Sequence, residues 1–121
     1  MINKDKIMAF TKRYNKYKAE KQTFNGRSYH SKKEADYAAQ LEWLKKAGEV
    51  KEVIPQYKLD IRVKGKHITN YFIDFKVIYS DDRVELVEVK GFATDVWNLK
   101  WKLTEALLDE IEPGAKLVLV K

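Results

Sequence analysis

Between Asn70 and Gly91 the chain reads NYFIDFKVIYSDDRVELVEVKG, two extended runs that carry acids where a buried sheet would ordinarily have none. In the first run Tyr71, Ile73, Phe75, Val77 and Tyr79 alternate. That period of two predicts a strand with these five side chains on one face and Asp74, between Phe72 and Lys76, on the other. Ser80-Asp81-Asp82-Arg83 is turn chemistry. The second run sets Val84, Leu86, Glu88 and Lys90 on one face, with Glu88 and Lys90 roughly 7 Å apart along the strand. A hairpin built this way offers an Asp, a Glu and a Lys to one small region.

Carboxylates on neighbouring strands, with thirteen residues between them in sequence, can converge on a divalent cation, because Mg2+ takes hard oxygen ligands and keeps several waters. A lysine two residues past the Glu would stand beside the water or a scissile phosphate, to orient the one or stabilise charge on the other. The plainer alternative is an exposed strand face with an ion pair.

At 121 residues and 45% hydrophobic content the chain is long enough for one domain with its own core. It has no cysteine, which excludes disulfides and zinc–thiolate sites and fits a reducing compartment. The longest purely apolar runs, Ile7 to Phe10 and Leu117 to Val120, are too short for a signal-peptide core or a membrane span. A soluble, cytoplasmic protein is the expectation, with no membrane partner. Charge is unevenly placed: residues 1–30 hold eight Lys/Arg against Asp5 and Glu20, whereas residues 31–121 hold sixteen of each sign. The excess is an N-terminal basic arm, Lys12, Arg13, Lys16 and Lys18 among its cations, interleaved with Phe10, Tyr14, Tyr17 and Phe24. Such an arm suits a phosphate backbone, although a solubilising tail would have the same composition.

Ile7, Phe10, Tyr14 and Tyr17 fall at helical spacing, so Lys4 to Glu20 is expected to form an amphipathic helix, either alone or on a partner. Gln22 to His30 reads as a loop or small hairpin around Asn25-Gly26. Ser31-Lys32-Lys33-Glu34 has the form of a capping box, opening a helix that runs to about Ala47 and stops at Gly48. Its inward arc is Tyr37, Ala38, Leu41 and Leu44, and Glu34 falls inside that arc. Two roles are open to Glu34: the cap itself, or a further carboxylate for the centre at Asp74 and Glu88. Val50 to Ile54 leads through Pro55 into a half-buried strand to Val63, with Gln56 a candidate hydrogen-bonding helper, and Lys64-Gly65 turns into the next strand. After Gly91, Thr94-Asp95 caps a second helix to about Glu110, whose buried stripe is expected to be Val96, Leu99, Leu103, Ala106/Leu107 and Ile111. Lys100 lies near that stripe. Trp97, Trp101 and Lys102 are expected outside it, as candidates for phosphate contact or stacking. Leu117 to Val120 reads as a strand covered on both faces. His30 and His67 show no evident partners.

The order is helix, three antiparallel strands, crossover helix and a final parallel strand. This αβββαβ order describes an α/β fold, a mixed sheet flanked by helices, with the basic arm or helix (1–21) ahead of the domain (22–121). Asp74, then Glu88-Val89-Lys90 on the next strand, preceded by a helix carrying Glu34, resembles the PD-(D/E)XK nuclease superfamily, the restriction-endonuclease-like fold. The segments Ser31 to Ala35, Tyr57-Lys58-Leu59 and Val87 to Gly91 further resemble small phage-type nucleases within it, similar to Holliday-junction resolvases and transposase endonuclease subunits. The resemblance covers residues 22–121; Ile73 stands where many members have proline.

What the resemblance implies is a Mg2+- or Mn2+-dependent DNA endonuclease, a phosphodiester hydrolase acting in phage recombination, replication or repair and selective for branched DNA. If phage-encoded, it would work in the host cytoplasm. Asp74 and Glu88 would be metal ligands, Lys90 the residue that positions the attacking water, and Glu34 the helix-borne acid. DNA contacts are expected from the arm cations and from Lys32, Lys33 and Lys100. One such site cuts one strand, so a homodimer is expected. A non-catalytic nucleic-acid-binding module on the same fold is the alternative.

Overall fold

A computed structural model describes residues 22–24, 27–29 and 31–121, so the expected helix over Lys4 to Glu20, the arm cations Lys12, Arg13, Lys16 and Lys18, and His30 lie outside the described residues. The chain divides into two compact units, residues 1–44 and 45–121. In the first, β1 (Gln22–Phe24) and β2 (Arg27–Tyr29) pair as an antiparallel hairpin across Asn25-Gly26. Helix α1 (Lys32–Lys46) follows. Ser31 caps it, its hydroxyl oxygen accepting the Glu34 N–H at 3.1 Å. Gly48, at φ +84°, ends it with a bend that a side chain would disfavour. The buried face is Glu34, Ala35, Ala38 and Leu41, with Tyr37 and Leu44 half-buried at its margins.

The second unit holds β3 (Val50–Val63), β4 (Lys66–Tyr79), β5 (Val84–Val89), α2 (Asp95–Ile111) and β6 (Ala115–Val120). The sheet order is β3-β4-β5-β6, antiparallel except for the last pair, which α2 joins as a crossover. Over the described residues the protein is thus α/β, with a mixed four-stranded sheet and two helices. Pro55 interrupts nothing: β3 runs unbroken through it because an edge strand can spare one N–H. Lys64 and Gly65 turn the β3–β4 hairpin with both residues at positive φ (+51° and +77°), the twist that a two-residue connection requires. β6 lies at the opposite edge and is half-buried, not covered on both faces as Leu117 to Val120 suggested. No helix among the described residues is long and apolar enough to cross a membrane.

Two expectations about faces need correction. Along β4 the single alternation from Tyr71 to Tyr79 does not hold. Lys76 stands opposite Leu86 in the antiparallel register, so the two share a face. Leu86 belongs to the same buried cluster as Tyr71, Ile73, Leu59 and Ile61. The core face therefore carries odd-numbered β4 residues up to Ile73 and even-numbered ones from Lys76, and the alternation resets around Asp74. Across the hairpin at the same level Gln56 sits at φ +50°, a conformation that costs a non-glycine residue about 1–3 kcal/mol. In α2 the expected stripe holds at Leu103, Leu107 and Ile111 but not in the first turns. Trp97 and Trp101, expected outside it, pack on the core cluster with those three and Leu108, and Thr104 is fully buried, while Val96 and Leu99 are 64% and 61% exposed. Indole rings bury more apolar area than the Val and Leu they displaced, and both stripes have helical spacing, so area decides.

Lys76 then meets Glu112, the C-cap of α2, at 2.8 Å, with side chains only 15% and 19% exposed. The Tyr57 hydroxyl donates to the same carboxylate at 3.0 Å. Burial works against the Lys76 charge, but its bonds to Glu112 and Tyr57 outweigh that and hold the ammonium above its usual range. In urea unfolding, Trp101→Ala should cost about 3–5 kcal/mol. Leu99→Ala should stay within about 0.5 kcal/mol of wild type. The reverse order would restore the stripe read from periodicity.

Candidate active site

The ladder between β4 and β5 runs from Ile78↔Val84 to Phe75↔Val87. One step further Asp74 faces Glu88, and backbone pairing gives way to side chains. The Asp74 N–H donates to Glu88 Oε1 at 3.3 Å, and the Val89 N–H donates to Asp74 Oδ2 at 2.8 Å. β5 meanwhile stays paired with β6 as far as Val89↔Val120. The sheet therefore splits at this point with the two carboxylates spanning the gap, and both are buried, Asp74 at 9% and Glu88 at 5% exposure.

Each remaining carboxylate oxygen has a partner. Asp74 Oδ1 accepts from Gln56 Nε2 at 3.4 Å. Glu88 Oε2 accepts from Trp97 Nε1 at 3.1 Å, and the same indole N–H also reaches the Tyr71 hydroxyl at 3.0 Å. Lys90 Nζ lies 3.9 Å from Glu88 Oε2 and 4.9 Å from the centre of the Trp97 ring, held by charge on one side and by the π face on the other. Trp97 can do this because α2 starts beside the split. The Thr94 side chain caps the helix on the Trp97 N–H at 3.1 Å, and Trp101, one turn on, stacks behind the indole at 5.3 Å.

Burial, and then the neighbouring Asp74 charge, push the Glu88 carboxyl up to about 7; Lys90 and the hydrogen bonds pull it down without prevailing. Burial and the Glu88 charge likewise raise the Tyr71 phenol. Among the described residues no group of three or more His, Cys, Asp or Glu side chains is gathered to hold a metal ion.

Of the residues singled out in the sequence, Asp74, Glu88, Lys90 and Gln56 come together here. Glu34 is buried in the first turn of α1, its N–H on the Ser31 cap. Lys32 is exposed and paired with Asp36 at 3.0 Å, and Lys33 is exposed. Lys100 is half-buried on α2. His67 does have a partner, Asp60 at 2.6 Å, because both stand on the exposed end of the β3–β4 hairpin. Tyr71 was missed as a site residue, and Trp97, expected outside the buried stripe as a candidate for phosphate contact or stacking, instead donates to Glu88. The signal for Trp97 was its place three residues after the Thr94 cap, within reach of whatever precedes the helix.

The fold and site define an α/β domain whose split sheet carries a paired-carboxylate centre with a lysine. The chain belongs to the DUF1064 family, described as a protein of unknown function, which it matches over residues 14–115, a span that includes the whole centre. No curated protein and no solved structure matches it.

Because burial holds the Glu88 carboxyl above the ordinary 4.5, up to about 7, Glu88 binds more proton in the folded chain than in the unfolded one between those pH values. Stability is thus highest at the acid end of that window and falls as pH rises through it, by a total on the order of 3 kcal/mol. Urea unfolding across this range in chelator should show that fall in the wild type, and Glu88→Gln should flatten it.

Proposed function

We propose that the protein is a divalent-metal-dependent DNA endonuclease of the PD-(D/E)XK type. The observation that carries the reading is the convergence of Asp74 and Glu88 from either side of the split sheet, with the Lys90 ammonium 3.9 Å from Glu88. Burial, and then the Asp74 charge beside it, raise the proton affinity of Glu88; two buried hard-oxygen donors placed together in this way favour a Mg2+ or Mn2+ ion, so the residues fit such a metal. Asp74 and Glu88 would hold it, and when bound it would polarise the phosphate and acidify a water.

The other groups act around that pair. Gln56 and the Val89 N–H fix the Asp74 carboxylate, and Trp97 and the Asp74 N–H fix Glu88, so neither has to reorganise when a substrate arrives. Lys90, its side chain 26% exposed, keeps its charge beside Glu88, where it can orient the attacking water or hold a phosphoryl oxygen. The Lys/Arg excess of the first thirty residues would add affinity without reading sequence, and would weaken with salt. Branched DNA is the substrate proposed. One centre cuts one strand, so resolving a branch would take two copies.

Supercoiled plasmid and branched duplexes, incubated with Mg2+ or Mn2+, test this. Wild type should nick or resolve DNA, Asp74→Ala should abolish the reaction, and Lys90→Ala should slow it about 10²–10³-fold. Mg2+ should also raise the melting temperature of wild type but not of Asp74→Ala. DNA binding with neither cleavage nor metal stabilisation would mark a binding module instead.

A further inference from the structure

Because β5 leaves β4 at the split, the β3–β4 hairpin continues past the last β4–β5 rung as a two-stranded ribbon. Beyond Phe75 the outer edge of β4 pairs with no strand among the described residues. One face of this ribbon is core: Leu59, Ile61, Tyr71 and Ile73 lie under α2. On the other face Phe72 stands 52% exposed in mid-strand, with exposed Lys58 directly opposite in register. Further along, Arg62 and His67 both bond Asp60, at 2.8 and 2.6 Å, and Lys64 and Lys66 flank the tip. From Lys58 to His67 four Lys/Arg meet a single Asp. An apolar ring left half in water there forgoes burial, and it sits two residues, about 7 Å of strand, from Asp74.

We infer that the ribbon face centred on Phe72 and Lys58 is a stacking site for an unpaired nucleotide of single-stranded or branched DNA. The ring offers a flat apolar platform and the cations answer the flanking phosphates. A paired base hides its face inside the duplex, so the site selects unpaired ones. An acidic peptide would match the lysines but give the ring nothing flat to stack on, and a second copy would bring like charge against like. The inference rests on the nuclease reading only for the step after binding, in which the next phosphate is presented to the centre at Asp74, Glu88 and Lys90.

The test uses the full chain in chelator at about 50 mM salt, with a single-stranded oligodeoxynucleotide carrying one 2-aminopurine and the same strand in a blunt duplex. Wild type should bind the single strand and quench its emission. Phe72→Ala, with an unchanged unfolding midpoint, should weaken that binding about 5- to 150-fold and restore emission while duplex binding holds. Phe72→Trp should bind and quench like wild type, and Lys58→Ala should lower the salt slope by about 0.7. Wild-type affinity and quenching in Phe72→Ala overturn the inference. So does loss of a dimer in sedimentation with unchanged binding per subunit, which gives the face to a second copy. If wild type cleaves no DNA in metal yet Phe72-dependent quenching persists, the nuclease reading falls and the stacking site stands.

Discussion

Where β4 and β5 part, two peptide N–H groups would be left without carbonyl partners, each at a cost of about 1–3 kcal/mol. The chain answers with side chains: the Glu88 carboxylate takes the Asp74 N–H, and the Asp74 carboxylate takes the Val89 N–H. The same two acids that close the gap are brought together by closing it, and burial together with their mutual repulsion is the reason Glu88 binds its proton so firmly. Gln56, Trp97, Tyr71 and Lys90 are arranged around that pair. Without the split there would be a continuous ladder and no reason for any of them to meet.

Local pattern revealed much of this. The Ser31 cap, the Gly48 stop, the Lys64-Gly65 turn and the crossover order of the last helix and strand each follow from a few adjacent residues. Asp74, Glu88 and Lys90 could be named because acids in strands are costly and therefore conspicuous. What could not be read depended on choices between equal periodicities. Trp97/Trp101 and Val96/Leu99 are both helical stripes, and only the facing surface of the sheet decides which is buried. The reset of alternation near Asp74 leaves no mark in composition, since Ile73 and Phe75 are both apolar and both buried while facing opposite ways.

Charge is sorted along the chain as well as within the second unit. Residues 31–121 are neutral in sum, yet the far end of the β3–β4 hairpin is cationic while Glu105, Asp109 and Glu110 gather acid on the last turns of α2. A polyanion approaching this unit is therefore favoured at the ribbon and disfavoured at the end of the helix. That polarity orients it before any short-range contact forms, and the exposed ring of Phe72 lies on the favoured side, two residues from Asp74.

Helix α2 is pinned at both ends by polar contacts that do unrelated jobs. At its start the Trp97 indole holds Glu88; at its close Glu112 is locked by Lys76 and Tyr57. The helix that carries both anchors has 17 residues and is a stiff rod of about 25 Å. Two fixed points on one rod determine both its position along the sheet and its rotation about its axis, so the direction in which the Trp97 N–H points is set from the far end of the helix as well as from the near one.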